Sequence, residues 1–214
     1  MRKIDLHTWP RREHFDLFKA FNHPHFNMCA NVDLTRFHPY VKEHSYSFTA
    51  AIVYVISRAA NAVPEFRYRL RGDEIVEHET VSPSVTILVD SDLFSFCAID
   101  YSPDFAEFAL RAARMFAAVK DHPTLKDPPG RDDLLYMTAL PWVSFTSFTH
   151  PMSQHPADSV PRFAWGKYFE QSGLLKMPLS VQGHHALMDG IHMGKYYAQV
   201  QSCLDQPEVL LGGG

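Results

Sequence analysis

Apolar residues recur along this chain at two spacings, and each spacing predicts its own elements. Four stretches carry a helical period. PRREHFDLFKAF sets Phe15, Phe18 and Phe21 on one face behind a proline, which predicts a short helix. SYSFTAAIVYVISRAANAV is rich in alanine, apolar on a broad face and stopped at Pro64, the pattern of a buried helix. SPDFAEFALRAARMFAAVK opens on Ser-Pro-Asp and carries a single apolar stripe, and DGIHMGKYYAQVQSCL predicts a closing helix. The strand period appears in FNMCANVDLT, SVTILVD, FSFCAIDY, LLYMTAL, WVSFTSF, RFAWGKYF and MPLSVQGHH. FRYRLRGDEIVEHE alternates, turns at Gly72-Asp73 and alternates again, a hairpin signature. LKDPPGRDD reads as a loop from its Pro and Gly content.

Nothing repeats at a fixed period, and no low-complexity linker splits the chain. These elements therefore predict a single α+β domain over residues 1–210, a large mixed β-sheet covered by helices, with 211–214 as a flexible glycine tail. At 214 residues, 46% hydrophobic and 21% charged, the chain can bury a sizeable core. A net charge of −4 with no extended Lys/Arg cluster argues against nucleic-acid binding. The longest apolar run is cut by Ser57 and Arg58, short of a membrane span, and no apolar stretch follows the basic N-terminal residues as in a secretory signal. Cys29, Cys97 and Cys203 are few and far apart, as expected of reduced thiols in a cytoplasmic protein.

Chemistry concentrates in three places. In PLSVQGHHALMDG, two histidines end a strand and Asp189 follows His185 by four residues. A neutral imidazole is a good general base, but spacing alone leaves open that Asp189 is a plain N-cap and that both histidines are hydrogen-bonded core residues. A metal site from His184, His185, Asp189 and His192 fits no common zinc spacing, because adjacent strand residues face opposite sides. In WVSFTSF, Ser144 and Ser147 sit among aromatics, where a hydroxyl can stabilise an oxyanion or merely line one face of a strand; neither lies in a GxSxG elbow. In TWPRREHF, Arg11 and Arg12 open a helix whose dipole disfavours them, which suggests a carboxylate partner such as Asp189. The chain has no Walker loop, GxGxxG, HExxH or hexapeptide repeat.

Together and in this order, TWPRREHF, ALPWVSFTSF and MPLSVQGHHALMDGIH resemble the N-terminal block, the serine-bearing strand and the HHxxxDG motif of the chloramphenicol acetyltransferases, over nearly the whole chain. The resemblance implies that acetyl passes directly from acetyl-CoA to a hydroxyl of chloramphenicol, inactivating the antibiotic without a covalent acyl-enzyme or a metal. It implies His185 as general base, Ser147 as oxyanion donor, and Arg11 paired with Asp189 to hold the histidine loop. It places Lys167 and Tyr168 in the coenzyme A channel, and Phe18, Phe26, Phe94, Phe96 and Ala164 in the acceptor pocket. It also implies a homotrimer, with the histidine from one subunit and most of the acceptor pocket from its neighbour.

Some positions depart from the family pattern. Ala164 stands where a threonine often holds a water near the oxyanion, Phe18 where a tyrosine is usual, and Asn22, His23 and His25 where the family is more apolar. These leave two further readings: an O-acetyltransferase for another hydroxylated compound, and a trimeric binding protein without turnover. The acyltransferase core of dihydrolipoamide complexes shares the fold. Its motif has Asp where this chain has His184, and it normally follows lipoyl and peripheral-subunit domains.

Overall fold

The computed structural model describes residues 1–153 and 158–212. In chain order the elements are β1 (Arg2–Lys3), α1 (Arg12–Phe18), β2 (His25–Asp33), α2 (Phe37–Glu43) and α3 (Phe48–Ala62). A 3-10 turn over Pro64–Arg67 leads to β3 (Tyr68–Arg71), β4 (Glu74–Glu77), β5 (Ser82–Leu88), β6 (Phe94–Ala98) and α4 (Phe105–Asp121). The chain closes with β7 (Leu134–Leu140), β8 (Arg162–Gly166), β9 (Phe169–Gln171), β10 (Leu174–His184), α5 (Gly190–Asp205) and α6 (Pro207–Leu211).

The expected large mixed sheet is present. Its order is β2-β10-β8-β7-β5-β6, with β9 also on β10. The two steps β8-β7 and β7-β5 are parallel and the rest antiparallel. Period-2 alternation divides its faces. Val32, Phe163, Trp165, Met177, Leu179 and Val181 go to one side, where they pack into the core with α3 and α5. The intervening positions are small or polar: Asn27, Cys29, Ala164, Ser180 and Gln182. Helix α3 is buried almost throughout, and its Ser47 cap accepts from the Ala50 N–H at 3.3 Å, a contact of about 1 kcal/mol.

The predicted hairpin forms as β3 and β4, with Gly72 at φ 63° in the turn, and β1 pairs with β4 to make a small second sheet. Arg69 ties that sheet to the large one. Its fully buried guanidinium donates to the carbonyls of Phe66, Tyr68, Asp132 and Leu134. Burial away from any carboxylate contact pulls its pKa down to about 10.

Three expectations need correction, and one helix adds to them. WVSFTSF is not a strand: β7 ends at Leu140, and residues 141–150 run as irregular chain across the polar face of the sheet. Pro141 supplies no donor there, and both flanks of β7 are already taken by β5 and β8. The segment is held by the Ser180 hydroxyl donating to the Phe148 carbonyl (2.7 Å) and the His150 N–H donating to Gln182 Oε1 (3.0 Å). RFAWGKYF breaks at Lys167-Tyr168, and β9 instead turns back onto β10 through Ser172 and Gly173, both at positive φ. Helix α2, unforeseen, contains Pro39 and buries Phe37 and Val41. Leu211, expected in the tail, closes α6 and is buried; the last two glycines lie outside the described residues.

Candidate active site

The two histidines that end β10 have different fates. His184 is the last residue of the strand and is 1% exposed. Its Nδ1 accepts the Ala186 N–H (3.2 Å), and its ring meets His25 edge-on at 4.9 Å. Burial, with the nearby His25, pulls its pKa to about 4. The core-residue reading therefore holds for His184.

His185 turns out of the sheet. Its N–H donates to the Pro24 carbonyl (2.7 Å), while Leu187 and Met188 close the next turn back onto the His184 carbonyl. The ring lies flat on Phe18 (3.9 Å between centroids, 8° between planes) and tilted against Phe26 at 4.6 Å. Nδ1 is buried and 3.1 Å from Asp189 Oδ1, without the alignment of a hydrogen bond. The side chain as a whole is 33% exposed. With Nδ1 covered, Nε2 is the nitrogen left to meet a ligand.

Arg11 organises this turn. Both terminal nitrogens of its guanidinium reach the Asp189 carboxylate, and Nη2 also donates to the His185 carbonyl (3.2 Å). The fork holds the Asp189 carboxyl below the usual carboxylate range. Arg12, the other arginine of the motif, pairs with Asp16 on its own helix. The N-terminal block is anchored by Phe15, fully buried, against Trp9 at 6.1 Å.

The remaining expected residues lie elsewhere on the chain. Ser147 is exposed in the segment over the polar face of the sheet, at the level of Ser180, to which Phe148 is bonded. From Ser180 to His184 along β10 is about 13 Å at strand rise, so Ser147 and His185 of one chain do not meet. Phe94 and Phe96 sit on the edge strand β6, four strand spacings from β10, roughly 19 Å. Ala164 is fully buried, with Ser180 and Thr138 as cross-strand neighbours. Tyr168 is exposed and rests on His38 (4.9 Å) and Phe48 (6.1 Å), with exposed Lys167 before it.

Two features escaped the sequence reading. Pro24 supplies the carbonyl that fixes the His185 backbone, and no residue pattern announced it. His192 Nδ1 accepts the Asp189 N–H at 2.9 Å; the Asp-x-x-His spacing at a helix start, where Glu or Gln is the usual third residue, was a readable signal.

The buried histidines predict acid sensitivity. His184 and His150 both have pKa values near 4, chiefly from burial, against about 6.5 unfolded. Between those values the unfolded chain binds more protons, so the stability present above pH 6.5 falls as pH drops toward 4, by several kcal/mol in all. Thermal melts should show a falling Tm over that window, and His184→Asn, which keeps an acceptor for the Ala186 N–H, should flatten it. An unchanged slope would remove His184 from this account.

Residues 1–201 match the family model described as chloramphenicol acetyltransferase. A chloramphenicol acetyltransferase of Escherichia coli is 30% identical over 204 residues, spanning 95% of this chain and 93% of its own. A chloramphenicol acetyltransferase 2 from Escherichia coli is 32% identical over 206 residues, spanning 95% and 96%. A solved chloramphenicol acetyltransferase superposes with a TM-score of 0.86 at 28% identity, over 95% of this chain and all of that one. The cubic core of a pyruvate dehydrogenase complex shares the fold alone, at a TM-score of 0.66 and 16% identity. With matching blocks, matching length and a matching fold, the chain belongs to the chloramphenicol acetyltransferase family and is an enzyme of the acetyltransferase class.

Proposed function

We propose that the protein acetylates a hydroxyl of chloramphenicol with acetyl-CoA and so inactivates the antibiotic. The observation that carries the reading is the setting of His185, whose Nδ1 is buried beside a clamped carboxylate while Nε2 is open. In the reaction, Nε2 takes the proton of the acceptor hydroxyl as its oxygen attacks the thioester carbonyl. Ser147 donates to the resulting oxyanion. Collapse expels the thiolate of coenzyme A, which leaves as the thiol with the proton from His185. Arg11 and Asp189 act as positioning residues that hold the turn bearing the base.

The separation of Ser147, Phe94 and Phe96 from His185 within one chain supports the homotrimer: a site needing both halves is completed by a neighbouring subunit. Coenzyme A fits the platform at Tyr168, where an exposed aromatic ring can stack on adenine and Lys167 can meet phosphate. Among the described residues no helix is long and apolar enough to cross a membrane, and we place the enzyme in the cytoplasm, where acetyl-CoA is made available.

One observation favours a second acceptor. A cleft of about 520 Å³ beside Phe26 is lined by His23, His25, Asn27, His150 and Gln182 together with Thr149, Pro151 and Met152, and two of these, His23 and His25, stand where the family pattern is more apolar. A more hydrophilic hydroxylated acceptor suits it, and rates compared between chloramphenicol and such compounds decide the order.

The clamp is testable by a double-mutant cycle. Arg11→Ala and Asp189→Asn should each lower turnover and stability, and the double variant should fall short of their sum by roughly 0.5–3 kcal/mol. Full additivity, measured by melts and kcat/KM, would show that the two side chains act separately.

A further inference from the structure

We infer that His192, oriented by Glu65, is a positioning residue for acetyl transfer: it fixes the backbone of Asp189 and through it the clamp beside the base. The inference rests on the reading of His185 as that base. His192 is the third residue of α5, and its Nδ1 accepts the Asp189 N–H at 2.9 Å. An acceptor at Nδ1 requires that the proton of the neutral ring sit on Nε2. On that side lies Glu65, with Oε1 at 3.4 Å from Nε2. Both side chains are largely buried, 10% and 17% exposed, so the carboxylate acts on the ring with little screening by water.

The tautomer matters because the alternative sets two donors against each other. With the proton on Nδ1, the ring N–H would confront the Asp189 N–H, and the contact would be lost. Asp189 stands at the N-cap of α5 with extended backbone (φ −128°, ψ 178°), and its carboxylate must reach both the Arg11 fork and the edge of the His185 ring. A cap left free to rotate would carry that carboxylate with it. Glu65 lies in the 3-10 turn after α3, and that turn is seated on α5 by Phe66, which stacks on Tyr196 at 4.7 Å. The buried helix α3 is thereby connected to the turn that carries the base. Burial holds the His192 pKa below its usual value against the pull of Glu65, with Arg11 also lowering it, so at neutral pH the ring is uncharged and a single tautomer serves.

The test compares variants that differ only in what they offer the Asp189 N–H. His192→Ala removes the acceptor and should lower kcat roughly tenfold to a hundredfold, the range for misplaced catalytic geometry, with little change in KM for acetyl-CoA. His192→Gln restores an acceptor at a position where glutamine serves in capping boxes, and should recover most of that loss. Glu65→Ala should behave like His192→Ala and add little in the double variant. A readout apart from activity comes from nitrogen-15 NMR of the full-length protein. The parent should show His192 with its proton on Nε2 and a slowly exchanging Asp189 amide, and both should be lost in Glu65→Ala. His185→Ala, assayed in parallel, separates the two claims: turnover retained there removes the base itself. His185→Ala inactive while His192→Ala matches the parent, or glutamine no better than alanine, overturns the role of His192 alone.

Discussion

His185→Ala is expected to lower kcat for acetyl transfer by about 10²–10⁴, the span a general base contributes. The loss should fall on kcat and kcat/KM alike, because the proton moves only as the hydroxyl attacks. The fold should tolerate the change. The backbone N–H of residue 185 keeps its bond to Pro24, and the ring being removed is one-third exposed. Phe18 and Phe26 would lose a partner, at a cost in Tm that a melt can read separately from rate. Turnover within tenfold of the parent would end the assignment of His185 as base.

Ser147→Ala is the second large effect, a fall in kcat of roughly 10²–10³ with KM nearly unchanged, as when one oxyanion donor is deleted. Ser147 is exposed in a single chain, so the substitution should leave the fold of the subunit intact, and a melt run beside the kinetics separates rate loss from unfolding. The two variants also test where the site is built. Because Ser147 and His185 lie far apart on one chain, the proposed site, which uses both, takes each from a different subunit. Subunits of the two inactive variants, unfolded together and reassembled in equal amounts, should regain about a quarter of parental activity, the share of interfaces with both residues intact. No recovery from well-formed mixed trimers would show that the two residues do not share an intersubunit site.

Much of this architecture is visible in hydrophobic period. Helix α3 and the strands β2, β5, β6, β7 and β10 lie within or close to the segments that the pattern marked, because each buries the face its period predicts. WVSFTSF misled because alternation reports a half-buried extended chain, and a loop laid across a sheet is that as well. Only the lack of a free edge beside β7 distinguishes the two, and that is a property of topology. Helix α2 was hidden because seven residues around Pro39 have weak intrinsic helicity; buried Phe37 and Val41 stabilise it through tertiary contacts.

The site divides in the same way. The pairing of Arg11 with Asp189 was legible, since arginine at a helix N-terminus needs a carboxylate and Asp189 offered one. The different fates of His184 and His185 followed from their opposite directions at a strand end. The residues pointed to Ser144 and Ser147 alike and only the resemblance chose Ser147, because nothing about a serine in an alternating run says that it will stand exposed on a loop over the polar face of the sheet. His192 and Glu65, 127 residues apart in sequence by their numbering, are brought together by the packing of the 3-10 turn on α5, which no local pattern encodes.

The most direct test of the whole account is release of free thiol from acetyl-CoA by the purified enzyme with chloramphenicol, followed colorimetrically beside His185→Ala. Release should depend on chloramphenicol, yield the acetylated antibiotic in equal amount and disappear in the variant. Thiol release that chloramphenicol does not stimulate, or that persists in His185→Ala, would contradict it.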